Sequence, residues 1–394
     1  MKKDAIKSFH RSIPVAISYM NPGAIYGKDG VNYEEFFLEQ SWAQGSFQRM
    51  RKGGVKYLVA SVGIETESID TSGNPLPFSK PLFSGAEGIK RMFHLLGMFR
   101  HATMKHQKTA KIVSTATEAK KAVAEGKTAI LLHLVGLYID RDIGVLEALA
   151  AIGVRSAHPP FDGNDPSDAL GLAPEGGLTK FGKETIRNME KLGMIVDVSH
   201  ATDKAFRDIA TYATKPFYAS HSNARALCNV KRNLTDAQIR EIGRCNGYIG
   251  LHFSSGFIDE TIKNLPGSIE TGKKVQKRLT ELRMQYQDPF EFLAHRYARE
   301  TWKDIPGCGA GIRGTTPPAS LSKLVDHISY MAEIAGIDCI GIGPDYDLSS
   351  IPREVDTSDR LSNLTAALLQ RGFSRKETRK IMGGNFISYL SRTL

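Results

Sequence analysis

Two short apolar runs of this chain close on a histidine: Met194–His200 ends in Asp197-Val198-Ser199-His200, and Pro216–His221 leads into Ala219-Ser220-His221-Ser222. Imidazole is a common zinc ligand and titrates near neutrality, so two such side chains brought together could hold a metal ion or move a proton. A third run, Cys339–Asp345, ends in a carboxylate able to accept a proton or to touch the same ion. Taken singly, each residue would be an ordinary polar group at a strand end. Three of them on three runs favour a site.

These residues can meet only if their runs are neighbouring strands that end at a common rim. Short apolar, β-branched runs closed by turn or polar residues number eight: Val15–Tyr19, Val55–Gly63, Thr128–Gly136, Val154–His158, Met194–His200, Pro216–His221, Tyr248–Phe253 and Cys339–Asp345. Helical periodicity fills most intervals, at Tyr33–Lys52, Ala86–Thr109 with Thr117–Glu125, Ile143–Ile152, Lys180–Leu192, Asp203–Ala213, Thr235–Cys245 and Ser320–Ala335, with a last stretch over Ser374–Leu390. Strands separated by helices predict a parallel sheet. Eight of them predict an α/β fold closed into a (β/α)8 TIM barrel, with an open doubly wound sheet as the competing arrangement.

Gly193 and Gly336 stand where helices should end, and Thr235-Asp236 and Ser374-x-x-Glu377 where helices should begin, the last in capping-box spacing. Residues 1–394 are read as one barrel domain with an insertion at about 254–319 after the seventh strand. The insertion opens with a charged helical stretch, Glu270–Glu300. It ends in PGCGAGIRGTTPP, which no strand precedes and which is read as a lid or connector and not as a phosphate cradle.

With 394 residues, 41% of them hydrophobic and 24% charged, the chain has material for a sizeable core, which excludes a disordered chain or a small disulfide module. Cys228, Cys245, Cys308 and Cys339 form no Cys-x-x-Cys pair, so reduced thiols are expected in place of a zinc ribbon or disulfide framework. No apolar run approaches the ~20 residues of a membrane span and the start carries no signal-like run, so a cytoplasmic protein is expected. The net charge of +10 favours an anionic ligand. Its basic residues are interspersed with acidic ones and no nucleic-acid motif is present, so nucleic acid is not an expected partner.

Over nearly its whole length the chain resembles the membrane (renal) dipeptidases, metal-dependent barrels of the amidohydrolase superfamily. The segments GGVKYLVASV, LGMIVDVSHAT, ASHSNARALCNVKRNLTD, IAGIDCIGIGPDYD and RGFSRKETRKIMGGNFISYL follow in the family's order. The resemblance implies that His200 and His221 bind the second metal of a two-zinc site, that Asp345 handles protons near the scissile amide, and that Arg232 binds the substrate carboxylate. It also marks departures. The family's first strand carries a His-x-Asp pair for the first metal, where PVAISYMNP has Tyr19 and Asn21. Its third strand carries a bridging Glu, where HLVG has Val135, and its fourth a His that contacts the reacting carbonyl, where SAHPPFDGND has Phe161.

A two-metal centre needs a bridging carboxylate to hold ions ~3.5–4 Å apart. Valine has no lone pair to give, a tyrosine must first lose a proton of pKa ~10, and an asparagine offers only a neutral carbonyl. An intact two-zinc centre is therefore not expected. The expectation is no cofactor, or one zinc on His200 and His221 completed by Asp345, His133, His252 or His158, although a lone histidine is more often a hydrogen-bonded core or rim residue than a ligand. Without metal, histidine beside Asp345 remains a general acid/base pair and Arg232 a carboxylate fork, with Tyr19 and Asp162 as further substrate-binding groups.

Two functions compete. One is an enzyme acting on a small carboxylate-bearing dipeptide or amino-acid-derived substrate by single-metal or metal-free acid/base chemistry; the other is a non-catalytic homologue serving as a binding or scaffold protein. A homodimer is expected by analogy alone.

Overall fold

A computed structural model describes residues 3–24, 26–27, 30–38, 43–63, 85–159, 176–287, 291–292, 295, 317–347 and 350–394. All eight expected runs contain strands: β1 (Val15–Met20), β2 (Val55–Gly63), β3 (Thr128–Val135), β4 (Val154–Ala157), β5 (Ile195–Val196), β6 (Tyr218–Ala219), β7 (Tyr248–Leu251) and β8 (Ile340–Ile342). Most are shorter than expected at their carboxyl ends. There the backbone leaves the ladder so that the polar residues closing each run can turn into the rim.

Strands β1 to β5 pair in parallel in chain order, and β6, β7 and β8 form a second parallel arc. A bridge between Asp197 and Tyr218 joins the arcs on one side, with the Val198 N–H donating to the Tyr218 carbonyl at 2.8 Å. On the other side the buried Ser18 hydroxyl of β1 sits 2.9 Å from the Ile342 carbonyl and 2.6 Å from the Ser220 carbonyl. Every residue of β1, β7 and β8 is buried, as expected of parallel strands covered by helices on one face and packed inside the barrel on the other.

The approach at that second seam leaves no room for a side chain on β7. A Cβ at Gly250 would lie 2.0 Å from Ser18 Oγ and 2.2 Å from the Ser220 carbonyl oxygen. Gly250→Ala is therefore expected to cost about 3 kcal/mol, the upper end of overpacking penalties, because the obstacle is backbone as well as side chain. The check is a lower urea midpoint at an unchanged slope.

The helix boundaries follow local chemistry. Thr235 with Gln238, and Ser374 with Glu377, each make a capping box, and Gly193 and Gly336 take φ of +66° and +85° where the preceding helices stop. The stretch expected as one helix over 33–52 is two, Tyr33–Phe37 and Phe47–Lys52, because Ser46 caps the second. Asp347, from the loop after β8, holds the turn between them through the Gln44 and Gly45 amides at 2.7 and 2.9 Å.

Elements outside the expectations include a first helix at Lys3–Arg11, a short hairpin of Tyr26–Gly27 and Gly30–Val31, a strand at Ala110–Ile112 pairing with β3, a helix at Ser362–Arg371, and a kink at Gly383 that interrupts the last helical stretch. In the insertion, helices at Ser255–Ile258 and Pro266–Gln285 are described, while the glycine-rich loop falls outside the described residues. Among the described residues, no helix is long and apolar enough to cross a membrane.

Candidate active site

The carboxyl ends of the strands gather Tyr19, His133, His158, Asp197, His200, His221, His252 and Asp345 at one end of the barrel. His200 Nε2 and His221 Nε2 face each other at 2.9 Å, and the His158 ring centre is 4.9 Å from that of His200. Tyr19 stacks on the face of His221 with ring centres 3.6 Å apart and planes 16° from parallel. His252 Nε2 lies 3.3 Å from Asp345 Oδ2 on the far side of His221. Two of these residues hold left-handed backbones that β-carbons disfavour, His200 at φ +71° and Asp345 at φ +53°. Backbone strain of this kind persists where surrounding structure forces it, and it clusters at functional sites.

Hydrogen bonds set the ring orientations. Ser220 Oγ contacts His221 Nδ1 at 2.7 Å and donates onward to Ser199 Oγ at 3.4 Å. With its proton spent there, Ser220 accepts from the His221 Nδ1–H, which leaves the Nε2 lone pair directed at His200. Burial, reinforced by the Arg232 charge, pushes His200 and His221 well below the ordinary histidine pKa, so both are neutral at pH 7. Burial also lowers His252, against the pull of Asp345. Burial and then the Asp345 charge raise the Tyr19 phenol well above its usual value, so it is not a phenolate ligand.

Arg232 is buried behind the pair. Its Nη1 donates to Ser222 Oγ at 2.8 Å and its Nη2 to the His221 carbonyl at 2.6 Å, while Nε has no partner. Burial lowers its pKa to about 10, with Asp345 and Asp197 opposing the shift, so the guanidinium stays charged at neutral pH.

Among the described residues, three groups place ligand atoms within 4.8 Å of one another: His158, His200 and His221; His133, His158 and Asp197; and His221, His252 and Asp345. The expected metal pair, the expected acid and the expected arginine are thus brought together. His158, first weighed only as a possible third ligand, closes β4 and enters the cluster, so the fourth strand does deliver a histidine. Phe161 and Asp162 fall outside the described residues. Asn21 Oδ1 accepts the Gly23 N–H at 2.9 Å, and Val135 ends β3 without a donor atom. Asp197 escaped sequence reasoning as a site residue. Its only signal was its place three residues before His200.

Residues 6–393 match the family model of the membrane dipeptidases, peptidase family M19. The chain belongs to this family. Solved structures with the same fold include a dipeptidase named AC, a metallopeptidase of family M19, at 21% identity and a TM-score of 0.73 over 97% of this chain and 99% of that one. Another is the probable dipeptidase PvdM of Pseudomonas aeruginosa, at 22% identity and a TM-score of 0.73 over 99% and 98%. A third is a Rhodobacter sphaeroides metallopeptidase liganded with a phosphinate mimic of L-Ala-D-Ala, at 22% identity and a TM-score of 0.72 over 97% and 99%. An uncharacterized protein of the pqqA 5′ region of Klebsiella pneumoniae is 27% identical over 284 residues, which is 70% of this dipeptidase-family chain and 86% of that protein.

Proposed function

We propose that this member of the dipeptidase family acts in the cytoplasm on a small dipeptide or amino-acid-derived substrate bearing a free carboxylate, with a metal centre reduced from two ions to one. The observation that carries the reading is the paired His200 and His221, Nε2 to Nε2 at 2.9 Å, beside positions for a partner ion filled by Tyr19, Asn21 and Val135.

One ion fits these residues. His158, His200 and His221 supply three imidazoles, two of them held neutral by burial and therefore able to ligate without first losing a proton. A second ion in the family's first position does not fit: a neutral Tyr19 covers one face of His221, Asn21 is engaged with its own turn, and Val135 offers nothing. Bound by the three imidazoles, a zinc ion would polarise a carbonyl as a Lewis acid.

The remaining chemistry belongs to the side chains. The unpartnered Nε–H of Arg232 and its free Nη protons offer a charge-assisted grip for a carboxylate, while the bonds to Ser222 and His221 hold the guanidinium plane in place. Asp345 has one oxygen near His252 and the other without a partner, so it can take a proton at Oδ1 and return it to a leaving group. The dipeptide mimic bound by the Rhodobacter relative supports a substrate of this size and charge.

The experiment is a zinc determination on protein purified without chelator, paired with turnover of a panel of small dipeptides. About one equivalent with measurable turnover is the expected result. Two equivalents would overturn the reduced centre, and no turnover of any dipeptide would favour the binding-protein reading.

A further inference from the structure

Below the rim, His133 of β3, His158 after β4 and Asp197 after β5 converge on one point inside the barrel. Their exposures are 0%, 3% and 0%. His158 Nε2 lies 3.1 Å and His133 Nε2 3.7 Å from Asp197 Oδ2. His158 Nε2 stands at ion-pair distance from the carboxylate, His133 Nε2 lies beyond hydrogen-bond reach of it, and all three atoms are closed off from solvent. A buried polar atom left unsatisfied is destabilising, and the one contact between His158 and Asp197 cannot satisfy all three, so the trio calls for a common partner.

A shared proton can link only two of the three atoms at a time. A divalent cation can accept a lone pair from all three. Tetrahedral zinc with bonds of ~2.0–2.1 Å sets its ligand atoms about 3.4 Å apart, a spacing that the two observed separations bracket. The far sides of two of the ligands, Asp197 and His133, are already tied, as they are in built metal sites. Asp197 Oδ1 accepts the Ser199 and Ser220 amides at 2.9 and 3.0 Å. His133 Nδ1 meets Ser156 Oγ at 2.8 Å, which in turn meets the Tyr218 hydroxyl at 2.6 Å. Asp197 also supplies a negative charge that the three-imidazole set at the rim lacks.

We propose that His133, His158 and Asp197 form a cation seat of their own, for zinc or a similar divalent ion, one layer below the rim. Strand β3, which has Val135 where the family's bridging carboxylate would stand, offers an imidazole on the same face two residues earlier. The inference rests on the one-ion reading in one respect: His158 belongs to both sets, so the two seats are alternatives for a single ion.

The test removes the upper seat and asks whether the lower one remains. Zinc is titrated into chelator-stripped His200→Ala protein against a chromophoric competitor, with circular dichroism verifying the fold. One equivalent should bind, and cobalt in its place should give the intense visible absorption of a four-coordinate site. Adding Asp197→Asn, or His133→Gln if the first combination does not fold, should weaken zinc binding by about 100-fold or more, beyond the 10–100-fold effect of outer-shell partners. A folded His200→Ala protein that takes up no zinc would overturn the seat. So would unchanged affinity in the double variants, which would leave the trio as two imidazoles sharing a proton with a carboxylate. The one-ion reading fails separately, if the wild-type protein binds two equivalents.

Discussion

Asp345→Asn should reduce turnover of the best dipeptide by about 10²–10⁴-fold, the range contributed by a positioned general acid/base, while leaving the fold and the zinc content in place. Asparagine matches the shape of the side chain and tolerates the left-handed backbone at φ +53° better than most residues with a β-carbon do. What it removes is the proton-accepting charge on a group that is 7% exposed, with Oδ2 3.3 Å from His252 and Oδ1 unpartnered. Asp345 supports the charged form of Arg232 but also places a competing negative charge beside it, and with a pKa of about 10 the guanidinium stays charged at neutral pH, so loss of the carboxylate should not weaken the grip on a substrate carboxylate. The effect should therefore fall on kcat and leave KM nearly unchanged. Thermal unfolding and kcat measured on the same preparation decide the matter. Turnover within a few-fold of wild type in a folded variant would remove Asp345 from the chemistry.

The second large effect is a gain. The combined variant Tyr19→His, Asn21→Asp, Val135→Glu restores the donor types that the family places on its first and third strands, so its zinc content should rise from about one equivalent to about two. A second Lewis acid is worth several kcal/mol of transition-state stabilisation, and each 1.36 kcal/mol is tenfold in rate, so dipeptide hydrolysis should rise by about 10²-fold or more. The sites can receive the new groups: Tyr19 lies against His221, and Val135 sits at the end of β3, two residues beyond His133. Exchanging the buried Tyr19 for a smaller ring costs packing, so a lower melting temperature should accompany the gain. Two equivalents of zinc without faster hydrolysis would show that the first metal is not what this centre lacks.

Much of this molecule was legible before any coordinate. A β-strand buried on both faces must be an apolar run, and a helix must begin with a group that satisfies its free amides, so eight strands and the helix caps at Thr235 and Ser374 could be read directly. The strand ends themselves pointed to His200, His221 and Asp345, and the family resemblance added Arg232 and an implied role for each. Features made by contacts distant in sequence were not legible. The break at Ser46 is supported by Asp347, about three hundred positions away, and the kink at Gly383 lets the backbone approach the Pro14 carbonyl, where a Cβ would stand 2.1 Å from the oxygen.

The sequence by itself determined which chemical groups are available: two histidines and an aspartate at three strand ends, a basic residue for a carboxylate, and no donor where a bridging carboxylate would stand. The strand-end residues are matters of residue type and local periodicity, and the last two are what the resemblance to the family implies. Only the tertiary structure decided which groups meet. His158 joins His200 and His221, His252 sides with Asp345, and His133 and Asp197 share His158 in a second trio below the rim. The reason is geometric. A strand's two-residue period fixes the face a side chain takes, but its height in the barrel depends on the register between neighbouring strands, and register arises from pairing across the whole sheet.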